Sequence, residues 1–384
     1  MLKPVDVIVA GAGIAGSSSA IQLARLGHRT VLLDRQEFPR HKPCGEFMSP
    51  ETREMLEVLG LDLPSHKLAP VSMDKAMIIL PHGGEISAPL PGPAIGISRY
   101  ELDRLLHLEA QSAGAEIVTK AAVTGIRKLD GGLYEVEARQ DGGKVRYQAR
   151  AVIGAYGTKK PRDLASADEE AKKDTVYIGL KSHYSGIRTQ NQVELYFCSG
   201  GYVGISAVEA GKANVAALLT LDSVQGNGKS VTEILQAAAR SNPRLATRLA
   251  SGTPIAGSQV SMAPVRLSEV PQPWSDFPHI GDAMLMIPPL CGDGMSIALR
   301  SSLLCCAWSD KYLKGALSYD QWQSGYSKEA AAEFSRLLKR AGMIQKLAFA
   351  RTNRLYPGLA RMFPGLARYV VKATRLSETG MARQ

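Results

Sequence analysis

The stretch Val5-Asp6-Val7-Ile8-Val9-Ala10-Gly11-Ala12-Gly13-Ile14-Ala15-Gly16 carries an apolar, strand-like run straight into three glycines at G-x-G-x-x-G spacing. The residues that follow, SSSAIQLARLGH at 17–28, have the composition of a helix, so the order is strand, glycine turn, helix. That order suits a dinucleotide. Gly11 permits the tight turn, Gly13 lets the backbone approach a pyrophosphate seated on the helix N-terminus, and Gly16 lets the helix pack close on the strand. Ala12 and Ala15 belong to the same turn. A second strand over residues 29–33 ends in Asp34, about twenty residues on, where a carboxylate takes ribose hydroxyls. The unit predicts an α/β architecture with a Rossmann-like nucleotide domain. It does not choose between FAD and NAD, which share the adenosine diphosphate. The plainer alternative is a glycine turn without a ligand, with Asp34 only capping the sheet.

With 384 residues and 45% hydrophobic composition the chain can bury a large core in two or three domains. Its first residues lead into a strand without the charged and long apolar regions of a signal peptide, and no stretch approaches the length of a membrane span. Five cysteines, an odd number without CxxC spacing, predict neither a disulfide framework nor a zinc site, so a reducing cytoplasm is the expected compartment. The net charge of +10 is uneven, because residues 326–384 hold twelve Lys and Arg against three Glu. A near-neutral body with a basic tail argues for a local anionic partner and against a nucleic-acid-coating protein.

Downstream, Phe277-Pro278-His279-Ile280-Gly281-Asp282-Ala283 reads as a short strand ending in Gly-Asp. It is followed by Pro288-Pro289-Leu290-Cys291-Gly292-Asp293-Gly294-Met295-Ser296 and a helical run, ALRSSLLCCAW. These segments resemble the GD motif and the P-x-x-G-x-G loop of the p-hydroxybenzoate-hydroxylase superfamily of flavoproteins. The resemblance implies FAD, with Gly281 and Asp282 at the ribityl chain and Pro289, Gly292, Gly294 and Met295 in the turn facing the isoalloxazine. A glycine turn opening a helix offers unpaired N–H groups to the negative charge of a reduced flavin. Within the superfamily, Phe38-Pro39-Arg40-His41-Lys42-Pro43-Cys44-Gly45-Glu46 and Arg99-Tyr100-Glu101-Leu102-Asp103-Arg104-Leu105 resemble signatures of flavin-dependent halogenases and geranylgeranyl-reductase-like proteins. Arg35, Arg40 and Arg99 are candidate countercharges for the pyrophosphate and adenine region, with Cys44 and Gly45 in the flavin loop.

The resemblance has two departures. Gly200-Gly201-Tyr202-Val203-Gly204-Ile205-Ser206 stands where relatives carry an aromatic motif, and only Tyr202 survives, so halogenation is not expected and the pocket should be roomier. At residues 152–162 Tyr156 replaces the acidic residue of a DG motif, which puts direct NAD(P)H reduction in doubt and leaves an external reductase open. The candidate catalytic residues are Cys44, Glu46 and His183, with Lys181, Tyr196, Tyr202 and Cys291 as substrate contacts. Residues 175–185 alternate as a strand with Tyr177, Lys181 and His183 on one face, and a solvated face is the plainer reading. If that face lines a chamber, His183 can deprotonate a phenol. The favoured reaction is hydroxylation of a lipophilic aromatic or polyketide-like molecule with O2 through a flavin C4a-hydroperoxide. The alternatives are reduction of a carbon–carbon double bond with Cys44 giving the proton, and a non-catalytic flavin-binding protein.

The resemblance implies a discontinuous FAD domain over residues 1–70, 97–174 and 260–324, with an inserted β-sheet substrate domain at 71–96 and 175–259 and a C-terminal basic helical region at 325–384. In that last region Phe334, Leu337, Leu338, Ala341, Ile344 and Ala348 fall at helical spacing, and Tyr356-Pro357-Gly358 and Phe363-Pro364-Gly365 punctuate two shorter helices. Such helices either lid the substrate domain, the favoured reading, or lie on an anionic membrane surface.

Overall fold

In the computed structural model, residues 4–63, 68–164, 175–226 and 228–376 are described. The expected domain boundary at 174 and the end of the basic tail, 377–384, lie outside them.

The first sheet is built from β1 (Val5–Ala10), β2 (Thr30–Leu33), β6 (Glu116–Val118), β7 (Ala122–Lys128), β8 (Tyr134–Gln140) and β9 (Gly143–Gly154), in the order β6-β2-β1-β9-β8-β7. Strands β6, β2, β1 and β9 run parallel, and β8 and β7 add antiparallel to β9. β1 is central and has helices over one face, which is why four of its six residues are fully apolar and buried. The helices are α1 (Ile14–Arg25), α3 (Arg99–Ser112) and α7 (Gly294–Leu313), and one core cluster joins Val7, Val9, Ile21, Leu32, Leu102, Leu106, Leu299 and Leu303. Gly16 is required by the contact of α1 with the turn before it. A Cβ there would stand 1.7 Å from the Gly11 carbonyl oxygen.

The second sheet contains β3 (Phe47–Met48), β4 (Val71–Ile79), β5 (Glu85–Gly96), β10 (Tyr177–Ser185), β11 (Gln192–Cys198), β12 (Gly201–Val208), β13 (Lys212–Thr220) and β14 (Thr253–Pro254), in the order β14-β10-β13-β12-β11-β4-β5-β3. β15 (Val260–Val265) pairs with β10. Two segments expected with the nucleotide domain, 47–48 and 260–265, therefore add strands to this sheet. The stretch 277–283, expected as a short strand, makes only an isolated bridge from His279 to Gly154 before a 3-10 turn at Gly281–Ala283. One face of the second sheet packs on α5 (Val231–Ala239) and α6 (Pro243–Ala250) through Leu180, Tyr184, Val203, Val215, Leu235 and Leu245. Both faces are covered, so the expected solvated face of β10 is not there: Lys181 and His183 are buried.

The C-terminal region begins with the thirty-residue α8 (Tyr319–Ala348), started by a reciprocal cap between Ser318 and Gln321. Its stripe behaves as the spacing predicts: Phe334, Leu337, Leu338 and Ala341 are buried, and Ile344 and Ala348 line the large cavity. The two proline-punctuated segments are α9 (Tyr356–Met362) and α10 (Pro364–Ala373), and α10 packs along β5.

Candidate active site

A cavity of about 620 Å³ lies between the two sheets and is closed from the third side by α8, α9 and α10. The nucleotide side of its wall contains Gly13, Ala15, Arg99, Gly281, Asp282, Pro289, Gly292, Gly294 and Met295, and the sheet side contains Tyr202, Gly204, Ser206, Leu195, Phe197 and Leu218. Cys44, Gly45 and Glu46 sit between them. Gly204 and Ser206 line the cavity without filling it, as their size predicts.

The fit of a dinucleotide is tested by the α1 N-terminus. Its cap, Gly13, makes no side-chain cap hydrogen bond, and its first turn carries no acidic side chain. A Cβ on Gly13 would meet nothing nearer than Lys42 Nζ at 3.8 Å and Arg99 Nη2 at 3.9 Å. Unpaired helix N–H groups, open space and two cations define a pyrophosphate cradle. Lys42 was not among the expected contacts, although it stands in the same motif as Arg40 and Cys44. Burial and the adjacent Arg99 push its ammonium below the usual lysine range. Arg99 is fixed by a bidentate pair with Asp103, at 2.6 and 2.8 Å, which overrides the burial that opposes its charge.

Asp34 is buried at the end of β2, where Oδ2 accepts from Ala12 N at 2.8 Å and Arg40 Nη2 stands 3.1 Å away. Arg40 also lies over the Phe38 ring and so organises the adenosine end of the site, whereas Arg35 is exposed and outside the cavity wall. At the other end Gly292 takes a left-handed φ of 77°, turning the chain into α7, whose cap Asp293 makes no side-chain cap bond. These residues would hold FAD with its pyrophosphate at α1 and its ring against the α7 N-terminus.

Glu46 is the hub beside the cavity. It is a non-glycine residue with φ of 52°, fully buried, and both carboxylate oxygens are taken. Oε1 accepts from Lys181 Nζ at 2.7 Å and Arg99 N at 2.9 Å, and Oε2 accepts from His183 Nε2 at 2.6 Å. Burial raises its affinity for a proton, but His183 and Lys181 together hold it below the usual carboxylate range. A carboxylate so occupied positions its neighbours and is a poor proton donor, which corrects the expectation of Glu46 as an acid. His183 and Lys181 lie behind Glu46 and are absent from the cavity wall, so neither serves as base nor substrate contact. His41, also unforeseen, accepts from Lys181 Nζ at 3.1 Å, and burial together with Lys181 and His183 lowers it to about 4, so it is neutral.

Tyr196 is a further correction. It shares a face of β11 with Glu194, to which its hydroxyl donates at 2.7 Å, and packs in the cluster under α5 and α6. Its neighbours Val193, Leu195 and Phe197 face the cavity instead. Tyr202 does line the cavity, in a cluster with Leu218 and Val265, and burial raises its phenol, with Cys291 and Cys44 adding to the effect. Burial likewise raises the Cys44 and Cys291 thiols. The cavity therefore holds groups kept protonated, Cys44 and Tyr202 among them, against a largely apolar wall. Tyr156, where relatives carry an acid, bonds to His279 Nε2 at 3.1 Å. His279 Nδ1 donates to the Gln272 carbonyl, so Nε2 is the acceptor for the Tyr156 hydroxyl.

A Rossmann-like domain with an anion cradle at α1, a second glycine turn opening α7, and one cavity shared with a β-sheet domain defines a FAD-dependent oxidoreductase. Residues 4–308 match the FAD binding domain family, and the chain belongs to it. It is similar to digeranylgeranylglycerophospholipid reductase 2 of Methanopyrus kandleri, 25% identical over 380 residues that cover 93% of this chain and 90% of that one. Among solved structures, a geranylgeranyl bacteriochlorophyll reductase-like protein from Thermoplasma acidophilum superposes with a TM-score of 0.77 at 20% identity, over 99% of this chain and 95% of the other. A flavin-dependent brominase gives 0.78 at 18% identity, over 97% and 93%. At these identities the structures show the shared fold alone.

Proposed function

We propose that the protein reduces carbon–carbon double bonds in a long, prenyl-like lipid chain. The observation that carries this reading is the cavity: it runs from the FAD residues Gly13, Asp282 and Gly294 to an apolar wall of Ala76, Ile78, Leu195, Leu359, Leu366 and Val370. An extended hydrocarbon is the ligand that such a wall stabilises by burial alone. Bound FAD would supply the electron pair. The chain's own residues orient the substrate, exclude water and deliver a proton, and Cys44 is the residue placed to give it, as a thiol kept protonated by burial. The name of the Methanopyrus kandleri relative supports the same substrate class.

Hydroxylation, expected first from the sequence, asks for a base beside a phenol. The residue assigned that task, His183, is tied to Glu46 outside the cavity, and this favours reduction. The test is mass analysis of a geranylgeranyl-bearing phospholipid after incubation with the chemically reduced protein without air. Gain of hydrogen at the double bonds supports the proposal; unchanged lipid, with oxygen added to an aromatic only in air, supports the alternative.

A further inference from the structure

Ten of the fourteen exposed large apolar side chains among the described residues fall between residues 343 and 370, so the outer surface is apolar chiefly here. Some of the ten line the cavity: Leu347, Leu359, Leu366 and Val370. Others do not. Met343, Leu355, Met362, Phe363 and Tyr369 lie outside the cavity wall and are among the most exposed, with Met362 at 72% and Tyr369 at 71%. The short helices α9 and α10 are therefore apolar toward the cavity and apolar again away from it. A helix apolar all round is normally covered on every side, and no part of the described chain covers this one outside.

The charge pattern says what does. Between Glu333 and Glu378 the sequence contains ten Lys or Arg and no Asp or Glu. Of these, Arg336, Lys339, Arg340, Lys346, Arg354, Arg361, Arg368 and Lys372 are exposed. Exposed apolar groups interleaved with cations, on helices lying along the protein surface, are complementary to the interface of an anionic bilayer. Among the described residues no helix is long and apolar enough to cross a membrane, so the contact is with the surface.

We propose that α9, α10 and the end of α8 dock on an anionic lipid bilayer, and that the cavity opens between these helices toward the lipid. The docking stands on the surface alone. The passage of substrate from bilayer to cavity rests on the lipid-reductase reading above.

The test is flotation of the full-length holoprotein with vesicles of phosphatidylcholine alone or mixed with phosphatidylglycerol. Binding is expected on the mixed vesicles, is lost as salt rises, and weakens on the order of fivefold for each cation removed, as in Arg361→Gln with Arg368→Gln. Met362→Glu with Phe363→Glu abolishes it while the flavin absorbance per chain and the melting temperature stay unchanged, and Val58→Glu, exposed on α2 (Thr52–Val58), leaves it intact. Equal or absent binding on both vesicle types overturns the proposal. So does a concentration-dependent dimer in sedimentation that Met362→Glu with Phe363→Glu disperses, which would assign the surface to a second copy of the chain. Vesicle binding with no lipid turnover would retain the docking and reject only the reductase reading.

Discussion

Lys181 Nζ and Glu46 Oε1 meet at 2.7 Å with both side chains wholly buried, 135 positions apart in the chain. Removing one partner of such a pair leaves a buried charge. Glu46→Gln is therefore expected to cost about 3–5 kcal/mol, read from urea unfolding. Because the folded carboxyl is held below its ordinary range, its stabilising contribution is present above the unfolded value and is lost as pH falls through the folded one. The gap between wild type and Glu46→Gln should thus close toward acid pH; a gap that widens there would contradict the assignment.

Gly13 and Gly16 separate two roles of one turn. Gly13→Ala meets nothing of the chain within 3.8 Å, so it should fold with an unchanged melting temperature and lose FAD, by about tenfold in affinity or more, because the methyl group enters the space of the pyrophosphate. Gly16→Ala drives a methyl into the Gly11 carbonyl and should fail to fold at all. Flavin absorbance per chain together with circular dichroism distinguishes the two, and full FAD occupancy in Gly13→Ala would place the pyrophosphate elsewhere.

Cys44→Ser and Cys44→Ala test the proton donor. Loss of a positioned general acid lowers turnover by roughly 10²–10⁴-fold, with FAD content unchanged. Serine should recover part of the rate that alanine loses, and equal, near-wild-type rates would exclude Cys44 as the donor.

Arg375 reaches back from the end of α10 to Asp293, at 2.5 Å, and so ties the C-terminal helices to the turn that opens α7. Burial raises Asp293 to about 7 despite this cation. A carboxyl raised in the folded state contributes stability that is present below its unfolded value and lost as pH rises through about 7. Asp293→Asn should therefore gain on wild type between acid and neutral pH, measured as the difference in urea midpoints. Arg375→Gln removes the compensating charge and should cost on the order of 3 kcal/mol and weaken FAD binding.

The nucleotide end of the site was legible in the sequence because it is local: one strand, one turn, one helix and an acid at a set distance, with every contact inside residues 5–34. The stripe of α8 was legible for the same reason, since periodicity identifies an apolar face. What alternation cannot tell is where each face looks. In β11 and β10 both faces are buried, so Tyr196 and His183 were assigned to a chamber that one turns away from and the other stands behind. The roles of Lys42, His41 and Arg375 arise from pairings across long separations, such as Arg375 with Asp293 over 82 positions, for which spacing carries no signal.

The most direct measurement is a single turnover without O2: the protein with its FAD chemically reduced is mixed with a geranylgeranyl phospholipid while flavin absorbance is followed and the lipid is weighed by mass spectrometry. The account predicts that flavin oxidation tracks the loss of double bonds one for one, with solvent deuterium appearing in the product. Flavin that stays reduced with the lipid and reoxidises only when O2 is admitted, placing isotopically heavy oxygen in an organic product, would contradict it.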